Sequence, residues 1–190
     1  MSSPNVVYSQ QERLLKIKTP LGETQIVIER LEGVEELSRL FEFQVTLLSE
    51  DWEVDAKKLL RKPATISVLL SDGSERFFHA IFATFRQEGP ASEKLMVYKA
   101  TLVPKIWFQT LNLDCRIYQN KTTREIVELL LNEAEVKDFN FRLNGTYPKR
   151  EYCVQYREST FNFIARLLEE EGIFYFFEHE KTKHTIVFCD

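Results

Sequence analysis

Residues 150–177 read REYCVQYRESTFNFIARLLEEEGIFYFF, and the alternation, cap and stop signals packed into this stretch decide how the rest of the chain is read. Tyr152, Val154 and Tyr156 alternate with Cys153 and Gln155, so the spacing predicts a strand with these two sets on opposite faces, ending at Glu158. Ser159 is placed to cap a helix. Phe161, Ile164, Ala165, Leu167 and Leu168 then recur at helical spacing as one apolar stripe, opposite Asn162, Arg166, Glu169 and Glu170. Gly172 follows the last periodic residue, where a left-handed C-terminal cap is sterically cheap for glycine alone, so the helix should stop there. Residues 173–177 hold four aromatics in five positions, too apolar on both faces for a strand with one side in water. That strand is expected to be covered, and to pair with residues 185–189 across the polar turn at 180–183.

Immediately upstream, Thr122-Thr123-Arg124-Glu125 has capping-box spacing ahead of Ile126, Val127, Leu129, Leu130 and Ala134, which predicts a helix over 123–135. Residues 115–118 and 139–143 read as extended, and Asn144-Gly145-Thr146-Tyr147-Pro148 turns the chain. This second unit is α+β.

The remainder alternates with period two. Strands at 14–17 and 24–30 flank Thr19-Pro20-Leu21-Gly22 as a hairpin, and residues 31–40 form a connector with one helical turn at 35–40. In the strand over 41–49, Phe43, Val45 and Leu47 oppose Glu42, Gln44 and Thr46, so one face is wet. Asp55 caps a short helix that runs to Leu60, and Lys62-Pro63 ends it. Strands at 65–70 and 75–85 are joined through Ser71-Asp72-Gly73-Ser74, whose Asp-Gly pair suits a tight hairpin turn. A loop over 86–92, marked by Gly89-Pro90, leads to a strand over 95–103 that Pro104 ends. Residues 1–11 are polar and expected to be frayed or dependent on a neighbour. Six strands joined mostly by hairpins argue for an antiparallel barrel or a strongly curled sheet. The fold class is therefore α+β, mainly β: an antiparallel β-barrel domain over 1–111 followed by an α+β domain over 112–190, with no flexible linker between them.

The 190 residues are 44% hydrophobic and 28% charged, which reads as globular. The net charge of −4 is spread evenly, with 14 basic and 15 acidic residues in 1–111 and 11 and 14 in 112–190. No basic tail recommends nucleic acid or an anionic membrane as a partner. Three cysteines, Cys115, Cys153 and Cys189, lack metal-type spacing. The first residues lack the apolar core of a secretory signal, and no window is long and apolar enough to span a membrane. Synthesis in the cytoplasm is the expectation.

Catalytic motifs are missing: there is no GxSxG elbow, HExxH pair, phosphate-cradling glycine loop or dinucleotide fingerprint. Consecutive carboxylates Glu169-Glu170-Glu171 point about 100° apart on a helix and read as a solvated helix end. His179 and His184 would face each other on a hairpin, but no third metal ligand has a natural position beside them. His79 reads as a satisfied core or rim residue, and Phe77, Phe78, Phe82 and Phe85 as core and subunit contact. No catalytic, cofactor-binding or metal-binding residue is expected.

The strings Glu151-Tyr152-Cys153-Val154-Gln155-Tyr156-Arg157-Glu158-Ser159 and Arg166-Leu167-Leu168-Glu169-Glu170-Glu171-Gly172-Ile173 resemble the VgrG family, the spike proteins of type VI secretion, and the related baseplate hubs of contractile phages. The resemblance extends upstream through Leu31-Glu32-Gly33, Leu40-Phe41-Glu42-Phe43, Lys62-Pro63-Ala64 and Thr101-Leu102-Val103-Pro104. One departure is Ala80, where the family often has glycine. The resemblance implies structural roles for Tyr152, Gln155, Tyr156, Glu158, Leu167, Leu168, Glu171 and Gly172. It also implies a non-enzymatic trimeric hub that uses no cofactor, seats on a hexameric tube, contacts baseplate components, and carries a needle and effector proteins. By that reading the chain is the N-terminal piece of a longer protein, exported by the secretion apparatus as part of it. The alternative is a hub of a contractile phage or tailocin.

Overall fold

Strand β3 (Glu42–Ser49) turns Phe43, Val45 and Leu47 inward and leaves Glu42 and Gln44 in water, as its alternation requires. The structure, a computed structural model, describes residues 9–10, 12–22 and 25–190. Around β3 lie β1 (Leu15–Lys18), β2 (Val27–Val34), β4 (Pro63–Leu69), β5 (Glu75–Ser92) and β6 (Leu95–Val103). They form one curled six-stranded sheet, a half-barrel, in the order β1-β4-β5-β6-β3-β2. Every pairing given within it is antiparallel. Ile17, Ile28, Phe41, Ile66, Phe82 and Leu102 are among its buried core residues.

Gly33 in β2 lies opposite Phe43 in β3. A Cβ there would come within 2.3 Å of the Phe43 ring and 2.8 Å of the Glu42 carbonyl oxygen, so the close approach of ring to backbone requires glycine.

Several local expectations change. The turn at Thr19-Pro20-Leu21-Gly22 forms, with the Gly22 N–H donating to the Thr19 carbonyl at 3.1 Å, but it does not make a hairpin. β1 pairs with β4 and stands at the opposite end of the sheet order from β2. Residues 86–92 belong to β5 and are not a loop. Irregularities between Phe82 and Thr84, Gln87 and Gly89, and Pro90 and Ser92 absorb the glycine and the proline without breaking the ladder to β6. Ala80 is fully buried and lies in regular register opposite Ala64. Residues 35–40 make turns rather than a helical turn. Most of the N-terminal stretch expected to fray lies outside the described residues, but Gln10 within it is buried and hydrogen-bonded.

The second architecture comprises β7 (Leu113–Lys121), α1 (Thr123–Glu133), β8 (Phe139–Arg142), β9 (Arg150–Ser159), α2 (Thr160–Glu170), β10 (Phe174–His179) and β11 (His184–Cys189). β7 and β9 form an antiparallel ribbon, while β10, β11 and β8 form a small sheet in that order. β8 joins β11 in parallel, a pairing that no hairpin signal announces. Both helices start as expected. Thr122 and Glu125 make a reciprocal capping box, and the Ser159 hydroxyl accepts from the Asn162 N–H at 3.1 Å. Ile126, Val127, Leu130 and Leu131 of α1 share one core with Phe163, Ile164, Leu167 and Leu168 of α2 and with Tyr175, Ile186 and Phe188. Phe163, absent from the stripe expected for α2, is fully buried and stacks on Tyr118 with centroids 5.4 Å apart.

By internal contacts the chain divides into two compact units. The first holds the described residues up to Val34, with Phe41–Val103 and His179–His184. The second holds Glu35–Leu40, Pro104–Glu178 and Thr185–Asp190.

Candidate functional site

The stretch that carries the family-like strings folds as β9, α2 and β10 and presents two surfaces of different character. Alternation along β9 sends Cys153 and Gln155 inward and Tyr152, Val154 and Tyr156 outward. Cys115, Ile117 and Gln119 of β7 stand opposite Tyr156, Val154 and Tyr152. Tyr152 is 58% exposed, Tyr156 64%, Ile117 59% and Leu113 75%. The outer face of the ribbon is therefore an exposed apolar surface, of the sort that usually marks a contact site. Arg157 is the extra residue where the register shifts between Asp114 and Cys115; it adopts φ +50° and lays its guanidinium 5.3 Å from the Tyr156 ring centroid.

The other surface is a chain of charges along α2. Arg166 donates to Glu158 at 2.7 Å, to the Val154 carbonyl at 3.1 Å and to Glu170 at 3.0 Å. Arg150 reaches the far side of Glu170 at 2.6 Å and Glu171 at 3.0 Å. The Thr123 hydroxyl closes the series on Glu171 at 2.8 Å. The Glu158 carboxylate holds the Arg166 guanidinium above its ordinary range against the opposing effect of burial, with Glu170 adding to it. Arg150, seconded by Arg166, holds the Glu170 carboxyl below its usual range. Glu169 and Glu170 are exposed, as a solvated helix end would be, but Glu170 and Glu171 are each bound by an arginine and Glu171 is half-buried. Arg150 comes from a different element, so the spacing of the acidic run could not reveal its partner.

The remaining string residues are interior. Gln155 is fully buried, its Nε2 donating to the Glu158 carbonyl at 3.2 Å. Leu167 and Leu168 lie in the common core. Gly172 takes φ +70°, its N–H donating to the Glu169 carbonyl and that of Ile173 to the Leu168 carbonyl, at 3.1 and 2.9 Å. That bond pair is a Schellman cap. The structure thus separates the eight string residues into an exposed pair, Tyr152 and Tyr156, a carboxylate pair in the charge series, Glu158 and Glu171, and an interior or capping group of Gln155, Leu167, Leu168 and Gly172.

Outside these surfaces, the histidines of the β10–β11 hairpin meet an unexpected third. His79 Nδ1 lies 2.9 Å from His184 Nδ1, and His179 Nδ1 lies 3.1 Å from the His79 backbone. Among the described residues, no three histidine, cysteine or carboxylate side chains are arranged to hold a metal ion. Among the described residues, no helix is long and apolar enough to cross a membrane.

The family pattern of the phage tail baseplate hub (GPD) matches residues 34–190. The chain belongs to that family. Among hub relatives, the type VI secretion system spike protein VgrG1b of Pseudomonas aeruginosa is 41% identical over 182 residues, covering 96% of this chain and 24% of the relative. VgrG1a of the same organism is 42% identical over 181 residues, covering 95% and 28%. The chain therefore spans about a quarter of the length of the curated relatives it matches. Among solved structures, the E. coli c3393 protein superposes with a TM-score of 0.80 at 30% identity, over 93% of this chain and 48% of that one. It is described as a component of the type VI secretion system with structural similarity to the T4 bacteriophage tail proteins gp27 and gp5. The relatives on this fold are thus named for spike and hub roles.

Proposed function

We infer that this chain is the N-terminal hub portion of a type VI secretion spike, working as a structural protein without bond chemistry. The observation that carries this reading is the hub-family match over residues 34–190, joined to about 40% identity with spike proteins along nearly the whole chain. In this reading the complete protein is a homotrimer that seats on a hexameric tube, contacts baseplate components and carries the needle and effectors. It is made in the cytoplasm and exported by the apparatus it belongs to. Interlocked sheets would transmit the axial load of contraction, which asks for dense packing rather than a catalytic constellation. The exposed apolar face of the β7–β9 ribbon and the bound charge series beside it suit a protein whose work is association. A phage or tailocin hub shares the fold, and the identity to secretion spikes favours the first reading.

Mass decides the matter. A chain continued to the length of its relatives should sediment as a trimer over a wide concentration series, since closed cyclic assembly is the usual way for one chain to build a ring. A monomer at every concentration overturns the hub reading.

A further inference from the structure

Lys16 and Lys18 stand two residues apart on β1, so both side chains leave the sheet on the face opposite to buried Ile17. The register carries that face across the neighbouring strands. Lys16 lies opposite Ser67 of β4, and Ser67 opposite Phe77 of β5, while Lys18 lies opposite Thr65. Together they line a concavity of about 270 Å³, to which Gln10, Glu75 and Lys181 also contribute. All of these residues belong to the first unit. The Thr65 hydroxyl donates to the Lys181 carbonyl at 3.0 Å, and the Lys181 ammonium stands 5.9 Å from the Phe77 ring centroid. A lysine 163 positions beyond Lys18 in sequence is thus tethered beside the first two.

Three ammonium groups therefore surround this small space against one carboxylate, Glu75. None of the four takes part in an ion pair among the described residues, whereas Arg116, Arg150, Arg166 and Lys183 all do. Like charges gathered on one concave surface repel, and an anion placed among them relieves that repulsion. The half-buried Ser67 hydroxyl, which has no hydrogen bond among the described residues, is a further donor on the same floor. Ammonium groups supply point charges without the planar fork of arginine, so the surface selects by charge and spacing rather than by bidentate shape.

Size and spacing narrow the occupant. The volume lies below the roughly 300–1,000 Å³ of small-molecule pockets, so it suits side chains of a visiting chain better than a whole cofactor. Lys16 and Lys18 repeat at the two-residue period of a strand, roughly 6.5–7 Å, and Thr65 and Ser67 repeat it on β4. An extended peptide with carboxylates at alternate positions has the same repeat, and the methylene stems of glutamate can lie against the Phe77 ring. Gln10 already occupies the Ile17 N–H and carbonyl, so the visitor is held by side chains and does not add a strand at that point of β1. A nucleic-acid backbone needs cations that continue along a track. Here Glu75 borders the three lysines, and the chain as a whole carries −4.

We propose that this concavity is a docking site for an extended acidic segment of a partner polypeptide, whose alternate carboxylates are held by Lys16, Lys18 and Lys181 while Ser67 donates to one of them. The site is a property of the first unit's surface and stands apart from the secretion reading, which sedimentation tests separately.

The probe is an end-blocked hexapeptide in which glutamate and threonine alternate, titrated into the 190-residue chain with 13C-labelled lysine. Binding should saturate, should weaken as salt rises from about 0.05 M to about 0.5 M, and should move the Cε signals of Lys16, Lys18 and Lys181 but not that of exposed Lys94. Replacing Lys16 and Lys18 together with glutamine should lower the affinity by about fivefold or more, and Lys94→Gln should leave it unchanged. If the double variant melts early, Lys181→Gln on the exposed turn takes its place, with a loss of about twofold or more. The proposal is overturned if the titration does not saturate, or if the glutamine variants bind as well as the parent chain. It is equally overturned if a peptide of the same composition with its glutamates in one block, inorganic phosphate, or a thymidine hexanucleotide binds these lysines as tightly as the alternating peptide.

Discussion

Gln10 turns both ends of its side-chain amide onto the backbone of Ile17: Oε1 accepts from the Ile17 N–H at 2.8 Å and Nε2 donates to the Ile17 carbonyl at 3.0 Å. The same Nε2 lies 3.3 Å from the Ile26 carbonyl. Ile17 belongs to β1, at one end of the sheet order, and Ile26 leads into β2 at the other. One buried amide thus bridges the two margins of the half-barrel. Gln10→Leu keeps the bulk and removes the bridge, stranding buried backbone groups, and should destabilise the chain by about 2 kcal/mol or more. Urea melts check this. A loss below about 0.5 kcal/mol, the low end for one hydrogen bond, means the margins do not need the amide.

Gly172→Ala should cost about 1 kcal/mol through the left-handed backbone alone, because a Cβ at that position would meet nothing within 4 Å. Gly172→Asn should cost less, since asparagine tolerates this region. The exposed Glu169→Ala is the appropriate silent control. Glu170→Ala breaks contacts to two arginines and should cost up to about 1 kcal/mol, less in high salt. Equal effects of Gly172→Ala and Glu169→Ala in denaturant would place the end of α2 elsewhere.

These sites also show what a sequence can disclose. The Ser159 cap, most of the α2 stripe and the Gly172 stop are legible because each is decided within a few residues of backbone: the structure shows the cap and the stop, and buries Ile164, Leu167 and Leu168 of the stripe with Phe163 beside them. The partner of β1 was not legible: the turn at Gly22 is local, but the choice of β4 over β2 is made by closure of a sheet. Gly89-Pro90 reads as a loop because bulges that tolerate them depend on the neighbouring strand. Likewise nothing near Glu171 names Arg150, and nothing near His184 names His79. Outward display of Tyr152 and Tyr156 could not be deduced either, since alternation sorts faces without saying which is covered.

Acid should loosen the segment around Asn144. Asp190 accepts from the Asn144 and Gly145 N–H groups and from the Tyr147 hydroxyl, at 2.9, 2.6 and 2.7 Å. These donors, the Asn144 N–H foremost, bring its carboxyl down from 3.8 to about 2, while burial first and then Asp190 push the Tyr147 hydroxyl up to about 12. A carboxyl lowered by folding stabilises the fold above its ordinary value, and that contribution drains away as pH falls through the lowered one. Carboxyl 13C titration should therefore find Asp190 near the bottom of the carboxylate range, and Tyr147→Phe should move its midpoint upward. An unmoved midpoint would show that the hydroxyl contributes nothing.

Thiol reagents should distinguish the three cysteines. Cys115 is exposed on the ribbon, Cys189 is half-buried, and burial pushes the thiol of Cys153 up. Native protein should label at Cys115 first, and Cys153 should react only on unfolding. Peptide mapping after brief alkylation gives the order, and early modification of Cys153 would mean that the inward face of β9 opens readily.

Exposed apolar residues on the ribbon predict weak, concentration-dependent self-association of the 190-residue chain. Replacing Tyr152 and Tyr156 together with lysine should reduce it while leaving the melting transition nearly unchanged. Sedimentation velocity across a concentration series is the measurement. Association unaffected by the double substitution would locate it on another surface.

The first unit is discontinuous in sequence, and this has a consequence during synthesis. Its six-stranded sheet is encoded by Val103, but residues 179–184 complete the unit only after residues 104–178 have left the ribosome. At roughly 5–20 residues per second, several seconds separate the emergence of the last sheet strand from that of the segment that seats on β5. During that interval Phe41, Phe43 and His79 lack the rings of His179 and His184 that cover them in the finished fold. A nascent chain stalled soon after Val103 should therefore offer its half-finished sheet to chaperones, and one stalled well beyond His184 should not.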